Sequence, residues 1–301
     1  MINFSKTDCE VIFFISSSGH CTLNCQYCIV SPIAKHKPSL SYEDYDFLLS
    51  AFNYKKAFLT FSGLGDFFAG YACNDKLLDR ILDHDVEVAL DVNGVLLHEF
   101  STLSEEKLNK IVYVNLTMHY HQLKKYGMLE QWSRNAILLH TRIPGHPIIL
   151  QGYIVSPSLM DEWQAAVDYY SASIYPHTGQ KLLLIKDINQ VFTMEQEDRL
   201  RKLLCEHSGI VSALHSEDFS AVFTGRGNVL CPAGKSYFRI WNDGAVQGCP
   251  NLPDVPYLLD GGNIKERRIN IADDPFCCAT PRYCDCNVIA SLGKMGEITE
   301  N

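Results

Sequence analysis

Apolar residues fall along this chain in short unbroken runs, separated by stretches whose apolar positions return every three or four residues. The runs are Val11 to Ile15, Ala57 to Phe61, Val86 to Val92, Ile111 to Leu116, Ile148 to Val155 and Leu182 to Ile185. Strands apolar on both faces belong to parallel sheets whose two sides are covered. The intervening stretches carry helix starts. Ser41 with Asp44 precedes Phe47, Leu48, Ala51 and Phe52, and Thr193 with Gln196 precedes Leu200, Leu203 and Leu204; each pair has the spacing of a helix N-terminus that caps itself. Trp132 to Leu139 and Leu159 to Tyr170 supply two further helices. The alternation predicts an α/β fold of six strand-helix units that ends near residue 207.

From about Gly225 the pattern changes, and glycine, proline and six cysteines replace the apolar runs. Residues 208–301 therefore read as a small second module after a first domain of 1–207. With 301 residues and 34.0 kDa, 47% hydrophobic and 20% charged, the composition is that of an ordinary globular protein. No run reaches the roughly 18 apolar residues of a membrane span, and the N-terminus lacks a signal-peptide pattern, so a cytoplasmic location is expected. A net charge of −9 argues against a nucleic-acid partner, which a basic surface would mark. Lys265, Glu266, Arg267 and Arg268 form a local charged run that reads first as a solvated loop. Twelve cysteines without any sign of secretion point to metal rather than disulfides.

The order Cys21, Thr22, Leu23, Asn24, Cys25, Gln26, Tyr27, Cys28 directly follows the first strand. Three thiolates can hold three irons of a four-iron cluster and leave the fourth open to a small molecule. Zinc, or a group of buried thiols, is the alternative; His20 is the nearby extra ligand, but it abuts Cys21. The triad, with Tyr27 before its last cysteine, resembles the signature of the radical S-adenosylmethionine (radical SAM) superfamily. The resemblance implies a partial (β/α)6 barrel, open on one side, with a 4Fe-4S cluster on Cys21, Cys25 and Cys28. In that family the open iron binds S-adenosylmethionine (SAM), and one electron releases a 5'-deoxyadenosyl radical that abstracts hydrogen from a substrate.

Other segments align with the same resemblance. Ser62, Gly63, Leu64, Gly65 and Asp66 stand where the family has a glycine-rich motif against the cofactor's amino group, although no Glu-Pro ends it here. Tyr27, Ser62, Gly63, Gly65, Asp66, Asn93, Asn115 and Thr117 are the expected cofactor-binding residues. Asp91, Val92, Asn93 and Gly94 resemble the Asn-Gly stop of the third strand, which is also a simple turn signal. Asn115, Thr117 and His119 alternate along the fourth strand and so share one face. His119 and Tyr153 are the expected catalytic groups, with His121 and Gln151 as weaker pocket candidates.

In the second module, Cys231 precedes a strand-like Tyr237 to Trp241, an Asp243-Gly244 turn and Cys249, which reads as a hairpin. Gly244 and Cys249 have the spacing that opens the auxiliary cluster site in the family's twitch or SPASM modules. One auxiliary 4Fe-4S cluster is expected on Cys231 and Cys249, with Cys278, Cys284 and Cys286 contending for the remaining places and Cys277 least suited. A structural zinc is the alternative. Cys9, Cys73 and Cys205 read as ordinary thiols.

The expected function is hydrogen abstraction from a small-molecule or peptide substrate, with a reductase, flavodoxin or ferredoxin as electron donor. About ten residues precede the first strand, which argues slightly against leader-guided peptide maturation. A non-catalytic iron-sulfur carrier and a tRNA-modifying radical SAM enzyme are the competing readings.

Overall fold

The computed structural model describes residues 9–16, 18–25, 27–28, 39–52, 56–63, 65–70, 76–143, 148–187, 190–213, 229–231, 233–248, 261–274 and 276–278. Its six principal strands coincide with the apolar runs: β1 (Val11–Ile15), β2 (Ala57–Phe61), β3 (Val86–Val92), β4 (Ile111–Thr117), β5 (Ile148–Val155) and β6 (Leu182–Lys186). They pair in sequence order, each parallel to the next. A seventh, β7 (Val211–Ala213), joins β6 in the same sense. This is the parallel α/β sheet that continuous apolar strands require.

Both expected helix starts are capping boxes. Ser41 and Asp44 open the Tyr42–Ala51 helix, and Thr193 and Gln196 open the Met194–Glu206 helix, each side chain bonding the other's backbone N–H. A short helix (Tyr120–Lys125) and the longer Leu129–Arg142 follow β4, and the helix after β5 begins with a 3-10 stretch (Pro157–Glu162), kinked at Leu159, before Trp163–Ser173. Trp132, Trp163, Tyr170, Phe13 and Phe61 are among the largest fully buried side chains, all in the layer between sheet and helices.

The other face of the sheet is unlike a packed core. Along β4, Val114, Leu116 and Met118 are buried against helices, whereas Tyr113, Asn115, Thr117 and His119 are only half-buried. Side chains alternate across a strand. Thus the concave interior is accessible and polar, and the helix-facing side is dry.

The sheet also crosses residue 207. β8 (Val229–Cys231) and β13 (Phe276–Cys278) form a separate antiparallel ribbon, and β11 (Gly262–Asn263) pairs with β12 (Arg268–Ile269). But β9 (Tyr237–Ile240) lies parallel to β1, and β10 (Val246–Gln247) folds back on it through a turn in which Gly244 has φ +88°. The hairpin expected from Asp243-Gly244 is therefore present, and it extends the main sheet beyond β1. Phe238 of β9 packs 5.8 Å from Phe13 and 5.2 Å from Phe52, measured between ring centroids. No helix among the described residues is long and apolar enough to cross a membrane.

Candidate active site

Parallel sheets place ligands beyond the C-terminal ends of their strands, and four loops meet there. The cysteine loop leaves β1, and Ser18 pins it: the Ser18 hydroxyl lies 3.0 Å from the His20 carbonyl and 2.9 Å from the Asp66 carbonyl. The Asp66 N–H donates back to the His20 carbonyl at 2.7 Å. Gly65, at φ +70°, makes this approach possible, because a Cβ there would lie 2.2 Å from the Ser18 carbonyl oxygen and 2.4 Å from that of His20. Gly63, at φ +98°, is also left-handed.

Asp66 is buried, and its carboxylate links the loops after β2 and β3. One oxygen accepts from the Phe68 N–H at 3.1 Å and the other from the Asn93 N–H at 2.7 Å. Burial raises its pKa to about 6 against these stabilising N–H groups. Asn93 in turn reaches the cysteine loop. Its amide donates to Thr22 Oγ1 at 3.0 Å and to Cys21 Sγ at 3.4 Å, and its oxygen accepts from the Val95 N–H at 3.0 Å.

His119, just beyond β4, closes the other side. Its Nδ1 lies 2.8 Å from the Tyr27 hydroxyl and 3.4 Å from Cys25 Sγ, and its ring stacks on Tyr27 at 5.8 Å. Enclosure in the interior pulls the His119 pKa down to about 4, so the imidazole is neutral at pH 7. Asn115 and Thr117 lie below it on the same face of β4, beside Gly152, where a Cβ would lie 3.6 Å from Asn115 Oδ1 and 4.0 Å from Thr117 Oγ1. Asp91 bonds Ser62 and Asn115, which oppose the upward shift that desolvation gives its carboxyl.

The three cysteine side chains share this loop. Desolvation pushes the Cys25 thiol up to about 12 and raises Cys21, and each thiol is pushed further by its neighbours. A bound cation offsets both costs by taking the thiolate form. Among the described residues no three His, Cys, Asp or Glu side chains gather as for a single metal ion. The sulfur donor set, with N–H groups of Asn93 and Leu23 on Cys21, fits an iron-sulfur cluster.

Similar folds are found among solved structures. The anSMEcpe enzyme with bound AdoMet and Kp18Cys peptide has a TM-score of 0.54 at 15% identity, over 95% of this chain and 84% of that one. With AdoMet and the Cp18Cys peptide, the same enzyme gives 0.53 at 16% identity, over 85% and 77%. The chain has the radical SAM fold. SuiB of Streptococcus suis, bound to S-adenosylmethionine, gives a TM-score of 0.45 at 12% identity over 81% of this chain and 61% of that one. No family model matches the sequence, and no curated protein does.

Within the radical SAM fold, the side chains of Cys21, Cys25, Tyr27, Asp66, Asn93 and His119 are linked by hydrogen bonds around the cysteine loop, Cys28 joins through its N–H to the Cys25 carbonyl, and Ser62, Asn115 and Thr117 lie along the interior below them. Strand five is different. Gln151 stands in register with Leu116 and Leu182, on the helix-facing side, where the Tyr170 hydroxyl donates to its oxygen. Tyr153 shares that phase and is 2% exposed. The β5 positions that face the interior are Gly152 and Ile154, and neither carries a functional group that would mark it in a sequence. His121 pairs with Glu162 at 2.9 Å and turns away from the constellation. Of the second cysteine set, Cys249, Cys284 and Cys286 lie outside the described residues, as does Leu64. The backbone register pairs Cys231 with Phe276 and Cys278 with Val229.

Sequence reasoning missed Ser18, whose hydroxyl gives no motif.

Proposed function

We propose that this protein is a radical SAM enzyme. Cys21, Cys25 and Cys28 would hold a 4Fe-4S cluster, and SAM bound to it would supply the hydrogen-abstracting radical. The observation that carries the reading is the joining of the cysteine loop to the ends of β2, β3 and β4 through Asp66, Asn93 and His119. These contacts hold the sulfurs of Cys21 and Cys25 at the mouth of an accessible polar interior, with Cys28 on the same loop. That interior accounts for Ser62, Asn115 and Thr117 as cofactor-binding groups. The AdoMet and peptide bound to anSMEcpe support the same cofactor and a peptide substrate for this chain, with a small polar molecule as the alternative.

Each chain residue has a task in this reading. Gly63 and Gly65 let backbone approach the cofactor, and Asp66 holds their turn against the cysteine loop. Tyr27 covers Cys25 and orients His119, whose neutral ring can take or give a proton at Nε2. Tyr153, buried within electrostatic reach of Tyr27, Tyr120 and Glu162, would serve as the second catalytic group. One auxiliary 4Fe-4S cluster on Cys231 and Cys249, completed from Cys278, Cys284 and Cys286, would exchange an electron with the substrate. The β8–β13 pairing, which brings Cys231 and Cys278 onto one short ribbon, supports a shared site. A flavodoxin, ferredoxin or reductase would supply electrons.

Anaerobic reconstitution, reduction with dithionite and addition of SAM test the proposal. Formation of 5'-deoxyadenosine, lost when Cys21, Cys25 and Cys28 are all replaced by serine, is the expected result. Its absence from a protein loaded with iron and sulfide would favour an electron carrier.

A further inference from the structure

Asp91 stands on the interior face of β3, and nothing in the reaction outlined above uses its charge. Side chains alternate along the strand, so Glu87, Ala89, Asp91 and Asn93 share that face while Val88, Leu90 and Val92 join the core on the other. The parallel register sets the levels. Phe14, Thr60, Ala89 and Tyr113 stand side by side from β1 to β4, and Asp91 with Asn115 stands one repeat higher. Phe14 and Ala89 are almost completely buried, so the lower row closes the interior on the side of β1 to β3, and the half-buried Asp91 stands just above it. The next repeat up is Asn93, about 7 Å along the strand, whose amide reaches Cys21.

The groups that touch this carboxyl are neutral. The Ser62 hydroxyl and the Asn115 amide donate to it from the strands on either side, and desolvation works against its charge. Glu87, on the same face and four residues earlier, carries its own cation, with Lys56 Nζ 2.8 Å from its Oε1. For Asp91 the described residues supply those two hydrogen bonds and no ionic partner. Arg239, a cation whose phase also turns it to the interior, is three strands away on β9. Its guanidinium carbon lies 3.9 Å from the centre of the Phe14 ring and 4.5 Å from that of Trp241, and its Nη2 donates to the Ser16 hydroxyl at 2.9 Å. A carboxylate offers about four acceptor positions, so two donors leave part of it unused. The space beside it is open: at Gly152 even a Cβ would stand 3.6 Å from Asn115 Oδ1, an ordinary contact distance.

We propose that Asp91 anchors a protonated amine of the substrate at this level of the interior. Enclosing a carboxylate is costly unless a cation comes with it, and an ammonium brings that charge together with charge-assisted hydrogen bonds. Ser62 and Asn115, cofactor contacts in the same reading, flank the anchor, so carbons next to the bound nitrogen would lie beside the cofactor. The net charge of −9 also favours the approach of a cation. The inference rests on the reading of the interior as the radical SAM chamber and narrows the substrate to a basic one.

Saturation-transfer NMR of the full chain, loaded with cluster, saturated with SAM and left unreduced, reads the binding of small probes. 1-Butylammonium is the cationic probe, and 1-butanol is the neutral one of equal length. The expected result is a saturable response to 1-butylammonium whose affinity falls at least tenfold in Asp91→Asn, with a weak response to 1-butanol that is the same in both proteins. Cluster absorption and an unchanged affinity for SAM show that the variant is otherwise intact. If Asp91→Asn fails to take up the cluster, the wild-type contrast between ammonium and alcohol decides.

An equal response to 1-butanol, an undiminished response in Asp91→Asn, or no response in the wild type overturns the proposal. So does displacement of 1-butylammonium by SAM, or a tenfold loss of SAM affinity in the variant, either of which would give the carboxylate to the cofactor. If the same sample, once reduced, makes 5'-deoxyadenosine yet ignores the ammonium, the anchor alone fails; if it binds the ammonium and makes none, the radical reading fails.

Discussion

At the scale of single residues, burial and backbone donors decide what each polar group does. His119 has one ring nitrogen shared between Tyr27 and Cys25. A metal-bound cysteine carries no proton, so the contact to its sulfur then needs Nδ1–H. Such a hydrogen bond raises a cluster's reduction potential. His119→Ala should lower the midpoint potential of the cluster proposed on Cys21, Cys25 and Cys28, measured by a redox titration followed by EPR, and an unchanged potential would remove His119 from the sulfur. Asp66 gives a pH signature. Its pKa in the fold, about 6, lies above the reference value of 3.8, so the stability it adds is full below 3.8 and is lost as pH rises through about 6. The shift amounts to on the order of 3 kcal/mol. Melting curves of wild type should fall across that window more steeply than those of Asp66→Asn. The variant should also be about 1–3 kcal/mol less stable at low pH, because a backbone N–H group loses its acceptor. A parallel pH dependence in both proteins would contradict the assignment. The sequence singled out Asp66, Asn93 and His119 but not these contacts: Asp66 and Asn93 stand 27 positions apart, and only the parallel sheet makes neighbours of their loops.

At the scale of elements, the chain announced itself well where one physical rule acts alone. The six strands were legible because each is buried on at least its helix side and reads as an apolar run. The capping boxes were legible because Ser41 and Asp44, or Thr193 and Gln196, satisfy each other's backbone within four residues. Ser41→Ala should cost about 1 kcal/mol in chemical denaturation, and a loss near zero would mean that the helix start is held by its neighbours instead. β5 shows where the rule stops. With Ile148, Ile149, Leu150, Ile154 and Val155 around them, Gln151 and Tyr153 stand out as polar on an apolar strand, yet their phase turns them toward the helices. Periodicity gives two faces and does not say which is concave. The glycine turn is a stronger test of an element. Gly65→Ala drives a methyl into the carbonyls of Ser18 and His20, so the iron bound per chain should fall sharply while far-UV circular dichroism keeps the sheet signal. Full iron loading in that variant would show that the loop tolerates displacement.

At the scale of the whole molecule, the boundary suggested by composition and the boundary drawn by hydrogen bonds differ. Glycine, proline and cysteine set residues 208–301 apart as a module, and nothing local marks Tyr237–Ile240 as a partner for β1, more than two hundred positions earlier. Parallel pairing of distant segments leaves no trace in either segment. Because Phe238 completes an aromatic cluster with Phe13 and Phe52, a chain cut after residue 207 should expose those rings and the edge of β1. We expect it to aggregate, and Phe238→Ala in the full chain should cost about 3–5 kcal/mol. A soluble, cooperatively melting fragment of 1–207 would show that β9 is an ornament of the sheet.

The addition of β9 alongside β1 also sorts the work of the molecule by stretch of chain. The first two hundred residues carry the thiols and the polar wall around them; the wall facing that chamber from the far edge, with its guanidinium and indole, is lent by a late hairpin. The first strand of the chain therefore acquires its second neighbour only after residue 240 has been synthesised.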